Sequence, residues 1–219
     1  MAEDQVRVNQ DSPRAAGEGQ WIDAKGTKRG ELCVIDFLTE MALEGRAYQV
    51  RAGTVTTAIT ADVALTDTDA EMCADAGDGV TIMPVEAMIS IDTHVNDEIE
   101  IAGKSVATAS TVGTAFKPLP LLIGGPAARA TARVDGAGVT QVTAELTTTT
   151  VRHFNTVAEF SPTDGGDPHM AINPTLWQPR VPPVLNGIRC FYIQIGSKST
   201  GCTYFAHFDF IELLTVNVA

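Results

Sequence analysis

His207 and Asp209 stand two residues apart, so on an extended strand they share one face, and Asp92 and His94 repeat the spacing. If two such strands met, imidazole nitrogens and carboxylate oxygens could hold a divalent metal, with His94, His207 and Asp209 as ligands of a metal-dependent jelly-roll enzyme. The paired histidines followed by a carboxylate that mark cupin-like sites are missing, and polar outward positions on strands account for both pairs. Asp164 to His169 (DGGDPH) offers oxygen ligands on a flexible backbone, but turn chemistry selects the same residues. Asp67, Asp69, Glu71, Asp75 and Asp78 crowd the stretch Thr66 to Asp78 without the central glycine and closing glutamate of an EF-hand. That stretch is expected to be a solvated loop or a single helical turn.

Nucleophilic and phosphate chemistry lack their signatures, since neither GxSxG nor GxGxxG nor GxxxxGK[ST] occurs. Carboxylates for glycoside cleavage could pair only in space, and 6% aromatic residues is little for a cleft that stacks sugars. Cys33, Cys73, Cys190 and Cys202 form no CxxC, so zinc is not expected and free thiols of a reducing compartment are. The expectation is no catalytic residue, no metal and no cofactor.

The elements that would position these residues are short strands. Of the 219 residues only 19% are charged, and 27 acids against 15 bases give a net charge of -12. Such a surface repels phosphate backbones and anionic membranes, so neither nucleic acid nor membrane is an expected partner. No apolar run approaches the roughly 20 residues of a membrane-spanning helix. The start, MAEDQVRVNQ, is acidic where a signal peptide is basic, which predicts synthesis in a cytoplasm.

Residues 1–30 are too polar for a core of their own; they predict either a floppy terminus or an extended N-terminal arm anchored on a neighbouring subunit by Trp21 and Ile22, and the arm is the reading preferred. Glu31 to Ala47 fits a short helix or a buried strand, and Gly45 ends it either way. Pro84, inside the apolar stretch Val80 to Ile91, predicts an edge or a bulge. EIEIA, from Glu98 to Ala102, turns Ile99 and Ile101 inward. KPLPLLIGGPAA carries Leu119, Leu121 and Leu122, which core packing or a subunit interface must cover. Thr131 to Val134, Val139 to Leu146 and Thr148 to Phe154 form an antiparallel group, with Gly136 and Gly138 at a turn. Asn155 to Pro183 reads as a long Pro-rich loop anchored by Trp177, with Leu176 and Arg180 beside it.

The clearest alternation lies in Gly187 to Leu214. A hairpin with its turn at Ser197 to Thr200 would set Phe191 opposite Ala206, Ile193 opposite Tyr204 and Ile195 opposite Cys202, leaving Cys190, Tyr192, Gln194, Thr203, His207 and Asp209 on a mixed outer face. Roughly eight to ten strands with regular turns predict an all-β fold: one β-sandwich over residues 31–219, jelly-roll-like, behind the arm.

With RAGTVTTAITADVALTDT, STVGTAFKPLPLLIGG and CTYFAHFDFIELL, the chain resembles bacteriophage virion structural proteins of the head. The resemblance implies a minor capsid or head-decoration subunit that forms a homo-oligomer on the shell and contacts other capsid proteins. It would be made in the host cytoplasm and reside in the virion. A jelly-roll major capsid or tail component, and a carbohydrate- or receptor-binding module reading through the 155–183 loop, are the alternatives. Interface candidates are Trp21, Ile22, Leu119, Leu121, Leu122, Trp177 and Arg180.

Overall fold

The computed structural model of the chain describes residues 36–61, 69–93, 99–140, 150–158, 174–197 and 202–217, with the backbone alone at 135–140, 157–158, 197 and 217. The ambiguous stretch near residue 40 is a helix, α1 (Phe37–Leu43). The Asp36 carboxylate caps it, accepting from the N–H groups of Leu38 and Thr39 at 3.0 and 3.1 Å. At the other end Gly45 takes φ +70°, so that its N–H reaches the Ala42 carbonyl and the Arg46 N–H reaches that of Met41. These two bonds form a Schellman cap and stop the helix before the first strand.

Among the described residues thirteen strands follow: β1 (Ala47–Ala52), β2 (Ile59–Thr60), β3 (Asp69–Ala76), β4 (Val80–Thr93), β5 (Ile99–Val106), β6 (Ala115–Phe116), β7 (Leu119–Pro120), β8 (Thr131–Thr140), β9 (Thr150–Ala158), β10 (Thr175–Trp177), β11 (Leu185–Asn186), β12 (Arg189–Ser197) and β13 (Thr203–Leu214). One sheet runs β10-β4-β13-β1-β7, with β11 also on β4 and β2 also on β13; the other runs β6-β8-β3-β12-β5-β9. The protein is thus an all-β sandwich. Among its long strands the first pairs with the last (β1 with β13) and the second with the last but one (β3 with β12), while β13–β4 and β12–β5 contacts close the roll. This is the rolled-up Greek-key pattern of a jelly roll. β8 and β9 depart from it, lying beside β3 and β5 in the six-stranded sheet.

The expected C-terminal hairpin is therefore not a hairpin: β12 and β13 belong to opposite sheets. Their inward faces are those the alternation indicated, and they meet across the core, where Phe191 and Phe208 stand edge to face at 5.2 Å. Cys190 consequently pairs with Asp75 and Val106, well away from His207. The expected turn at Gly136 and Gly138 is corrected too, because both lie inside β8. There the register slips from Ala70↔Val139 to Met72↔Val134, so the glycines sit in a wide bulge. The 155–183 excursion begins as the end of β9 and contains β10, and its residues 159–173 lie outside those described.

The largest correction concerns the acidic stretch, which holds β3, an interior strand buried almost throughout. Its acids survive burial because distant groups satisfy them. Glu71 accepts from the Tyr204 hydroxyl at 3.1 Å. Asp75 accepts from the Ser110 N–H at 2.8 Å, from the Ser110 hydroxyl at 2.5 Å and from Arg133. That knot ties the segment after β5 to the outer face of the six-stranded sheet, the face that carries a second cluster of Ala70, Cys73, Val106, Cys190 and Tyr192.

Candidate assembly groove

Pro84 shows how the sequence shapes the outer face of the seven-stranded sheet. Opposite β13 the register steps from Asp209↔Glu86 to Phe210↔Pro84, so Val85 is an extra residue and β4 bulges there. On its other side β4 pairs with β11 at Thr81–Ile82 and with β10 at Ala87–Ile89, leaving Pro84 facing a gap where no ladder hydrogen bond is required of it. The bulge lets Val85 and Glu86, successive residues, line one groove together with Phe210 and Ile211.

The groove holds about 360 Å³, within the range of sites for small ligands. Leu38 and Ala42 of α1 and Leu121 form one wall, Gln178 and Pro179 the other, and Glu86 and Asp209 its polar floor. Asp209 lies between Glu86 on β4 and Gln49 on β1, and accepts from the Gln49 amide at 2.9 Å. Glu86 accepts from the Gln178 amide at 2.5 Å and lies 3.9 Å from His207 Nε2. Burial pushes the Asp209 carboxyl above its ordinary range; the Gln49 hydrogen bond and His207 pull it down, and Glu86 adds to the rise. A carboxyl whose folded pKa is raised favours the fold most below its unfolded value and loses that advantage as pH climbs through the folded value. Asp209→Asn, which can still accept from Gln49, is therefore expected to be neutral or to stabilise the isolated chain at pH 7 by roughly a few tenths of a kcal/mol, about 1 °C in Tm by calorimetry.

Beside the groove runs an exposed apolar ridge. Phe37, Leu38 and Leu43 project from α1, and Leu119, Leu121, Leu122 and Ile123 from β7 and the segment after it, with Ile123 98% exposed. The two parts are held together. The Leu121 N–H donates to the Ala47 carbonyl at 2.9 Å, and a Cβ on Gly45 would fall 2.9 Å from Pro126 Cδ and 3.4 Å from Leu122 Cδ2.

Three of the seven interface candidates, Leu119, Leu121 and Leu122, thus lie on this ridge, and Leu121 also lines the groove. Trp177 serves it from beneath. Its half-buried indole stacks on Phe191 at 5.6 Å and tilts against Phe154 at 5.2 Å, which fixes the strand that carries Gln178 and Pro179. Arg180 is exposed just beyond. Trp21 and Ile22 lie outside the described residues. The sequence left α1 open between helix and strand without giving it a part in a site, and it did not single out Glu86, whose contribution depends on the β4–β13 register that the bulge fixes.

Among the described residues Asp92 does not join His207 and Asp209. Asp92 accepts from the Thr203 hydroxyl at 3.1 Å, four residues along β13 from His207, and His94 lies outside the described residues. Asp164 to His169 lies outside them as well. The described residues that bring potential metal ligands together are Cys73, Asp75 and Cys190, buried and within 4.8 Å of one another. Burial, followed by the hydrogen bond with Cys73, pushes the Cys190 thiol well up, away from the thiolate a metal needs. Asp75 is already engaged by Arg133 and Ser110, so the trio fits a packed core better than a metal centre.

Among the described residues no helix is long and apolar enough to cross a membrane. Comparison of the chain with protein-family models, curated proteins and solved structures found no match.

Proposed function

We propose that the chain is a structural subunit of a bacteriophage virion, of the minor capsid or head-decoration kind, and that it works by self-association through the ridge of α1 and residues 119–123. The observation that carries this reading is the ridge itself. Seven large apolar side chains, three on α1 and four within residues 119–123, are exposed on two segments that the Leu121–Ala47 hydrogen bond and the Gly45–Leu122 approach bring side by side. Exposed apolar residues gathered on adjoining segments point to an interaction site more strongly than ones scattered singly. The sequence resemblance supplies the virion context, and the net charge of -12 suits a position on the outside of a shell better than one against packaged DNA. Glycan reading through Trp177 is less well supported, because its ring is occupied by Phe154 and Phe191.

Light scattering over a concentration series tests the self-association. The full-length chain is expected to form a defined homo-oligomer, and Leu121→Asp to weaken it at least tenfold, since desolvating one leucine contributes about 1.5–3 kcal/mol. A monomer at every concentration, or an oligomer indifferent to Leu121→Asp and Ile123→Asp, would count against the reading.

A further inference from the structure

We infer that the groove between α1 and Pro179 is filled by residues 21–29 of a second copy of this chain. This inference rests on the assembly reading above and names the partner of that same surface.

The groove asks for a ligand of mixed character. Apart from Gln178 its walls are apolar, and among the described residues the charged groups lining it are the carboxylates of Glu86 and Asp209, with no lysine or arginine. The stretch WIDAKGTKR, from Trp21 to Arg29, has matching chemistry: two large apolar residues, then three bases (Lys25, Lys28 and Arg29) against the single acid Asp23. It is a basic stretch in a chain whose net charge is -12. In an extended conformation Trp21 and Lys25 stand about 13 Å apart. An extended segment can thus present an indole to the apolar wall and an ammonium to the carboxylates. A cation there also offsets the burial that disfavours the charged form of Asp209.

Self-association through the ridge makes a second copy the donor. Residues 1–35 precede Asp36, whose extended backbone (φ -67°, ψ 153°) leads the chain out of the helical path at the N-cap of α1. α1 is both a wall of the groove and part of the ridge. If two ridges meet in a symmetric contact, the N-cap of each copy comes beside the groove of the other, and each arm enters the facing groove.

The test uses two full-length chains, both carrying Cys33→Ser, one with Trp21→Cys and the other with Leu121→Cys. The remaining cysteines, Cys73, Cys190 and Cys202, are buried. After mixing and mild oxidation, a disulfide-linked heterodimer is expected on a non-reducing gel. Its yield should fall at least fivefold when the second chain also carries Glu86→Gln and Asp209→Asn. It should fall similarly when Leu121→Cys is replaced by Val55→Cys, a 99% exposed position beyond the far end of β1. The inference is overturned if the Val55→Cys pair links as well as the Leu121→Cys pair, or if linkage occurs only within a chain carrying both cysteines. Light scattering separates the two levels. An oligomer that persists in a chain starting at Gly30, with no mixed linkage, defeats the arm and leaves self-association standing, whereas a full-length chain that is monomeric throughout defeats both.

Discussion

Asp75→Ala is expected to lower folding stability by about 3–5 kcal/mol, read as a fall in the midpoint of urea unfolding with an unchanged slope. Asp75 is 7% exposed and accepts from both the N–H and the hydroxyl of Ser110 and from Arg133, whose guanidinium also reaches the Ser110 hydroxyl at 2.5 Å. Removing the carboxylate leaves a largely buried guanidinium without its counter-charge. It also unties the segment after β5 from the sheet face that carries Cys73, Cys190 and Tyr192. Because most of the loss comes from the stranded cation, Asp75→Ala combined with Arg133→Met should be more stable than Asp75→Ala alone by about 1–3 kcal/mol. Equal stability of the single and double variants would show that the knot contributes only packing.

That knot also shows what the sequence could not reveal. DAEMCADA has the composition of a solvated turn, and nothing near it in the chain indicates burial. The groups that make burial possible lie 35, 58 and 133 residues away, at Ser110, Arg133 and Tyr204. The C-terminal strands failed for a related reason. Alternation tells which side chains face the core, and it did so for Phe191, Ile193, Ile195, Tyr204, Phe208 and Phe210, all buried. It does not identify the neighbouring strand, because strands facing one core from opposite sheets carry the same pattern. Proline was more informative: Pro84 forbids a ladder bond wherever it lies, and the bulge followed.

The candidate groove was legible in part for the same reasons. Leu119, Leu121 and Leu122 stood out because prolines and glycines bracket them, leaving apolar residues that core packing or a subunit interface must cover. Glu86 and Asp209 sit 123 positions apart in the chain and become neighbours through one register, so their pairing has no local signal. His207 and Asp209 did share a face as their spacing required. Their partners are a glutamine and a glutamate on flanking strands rather than a second His–Asp pair.

Gly103→Val is expected to cost about 3 kcal/mol, through the aromatic edge that carries the groove's far wall. Gly103 lies in mid-strand with no positive φ, so its role is spatial. A Cβ there would fall 2.0 Å from Phe154 Cε1 and 2.5 Å from Cδ1, which means that the ring lies on the bare glycine. The register shift between Gly103 and Lys104 brings β9 into that position. Displacing Phe154 disturbs its contact with Trp177 at 5.2 Å and, through Trp177, the stack on Phe191 at 5.6 Å. Trp177 fluorescence should therefore shift to the red along with the loss of stability, because the indole gains water. Phe154→Ala provides the control: in that background the added valine should cost less than half as much, since the ring it strikes is gone. If Gly103→Val is equally damaging with and without Phe154, the glycine is required by its backbone and the contact with the ring is incidental. If the fluorescence is unmoved, the aromatic edge does not transmit the strain to the strand that positions Gln178 and Pro179.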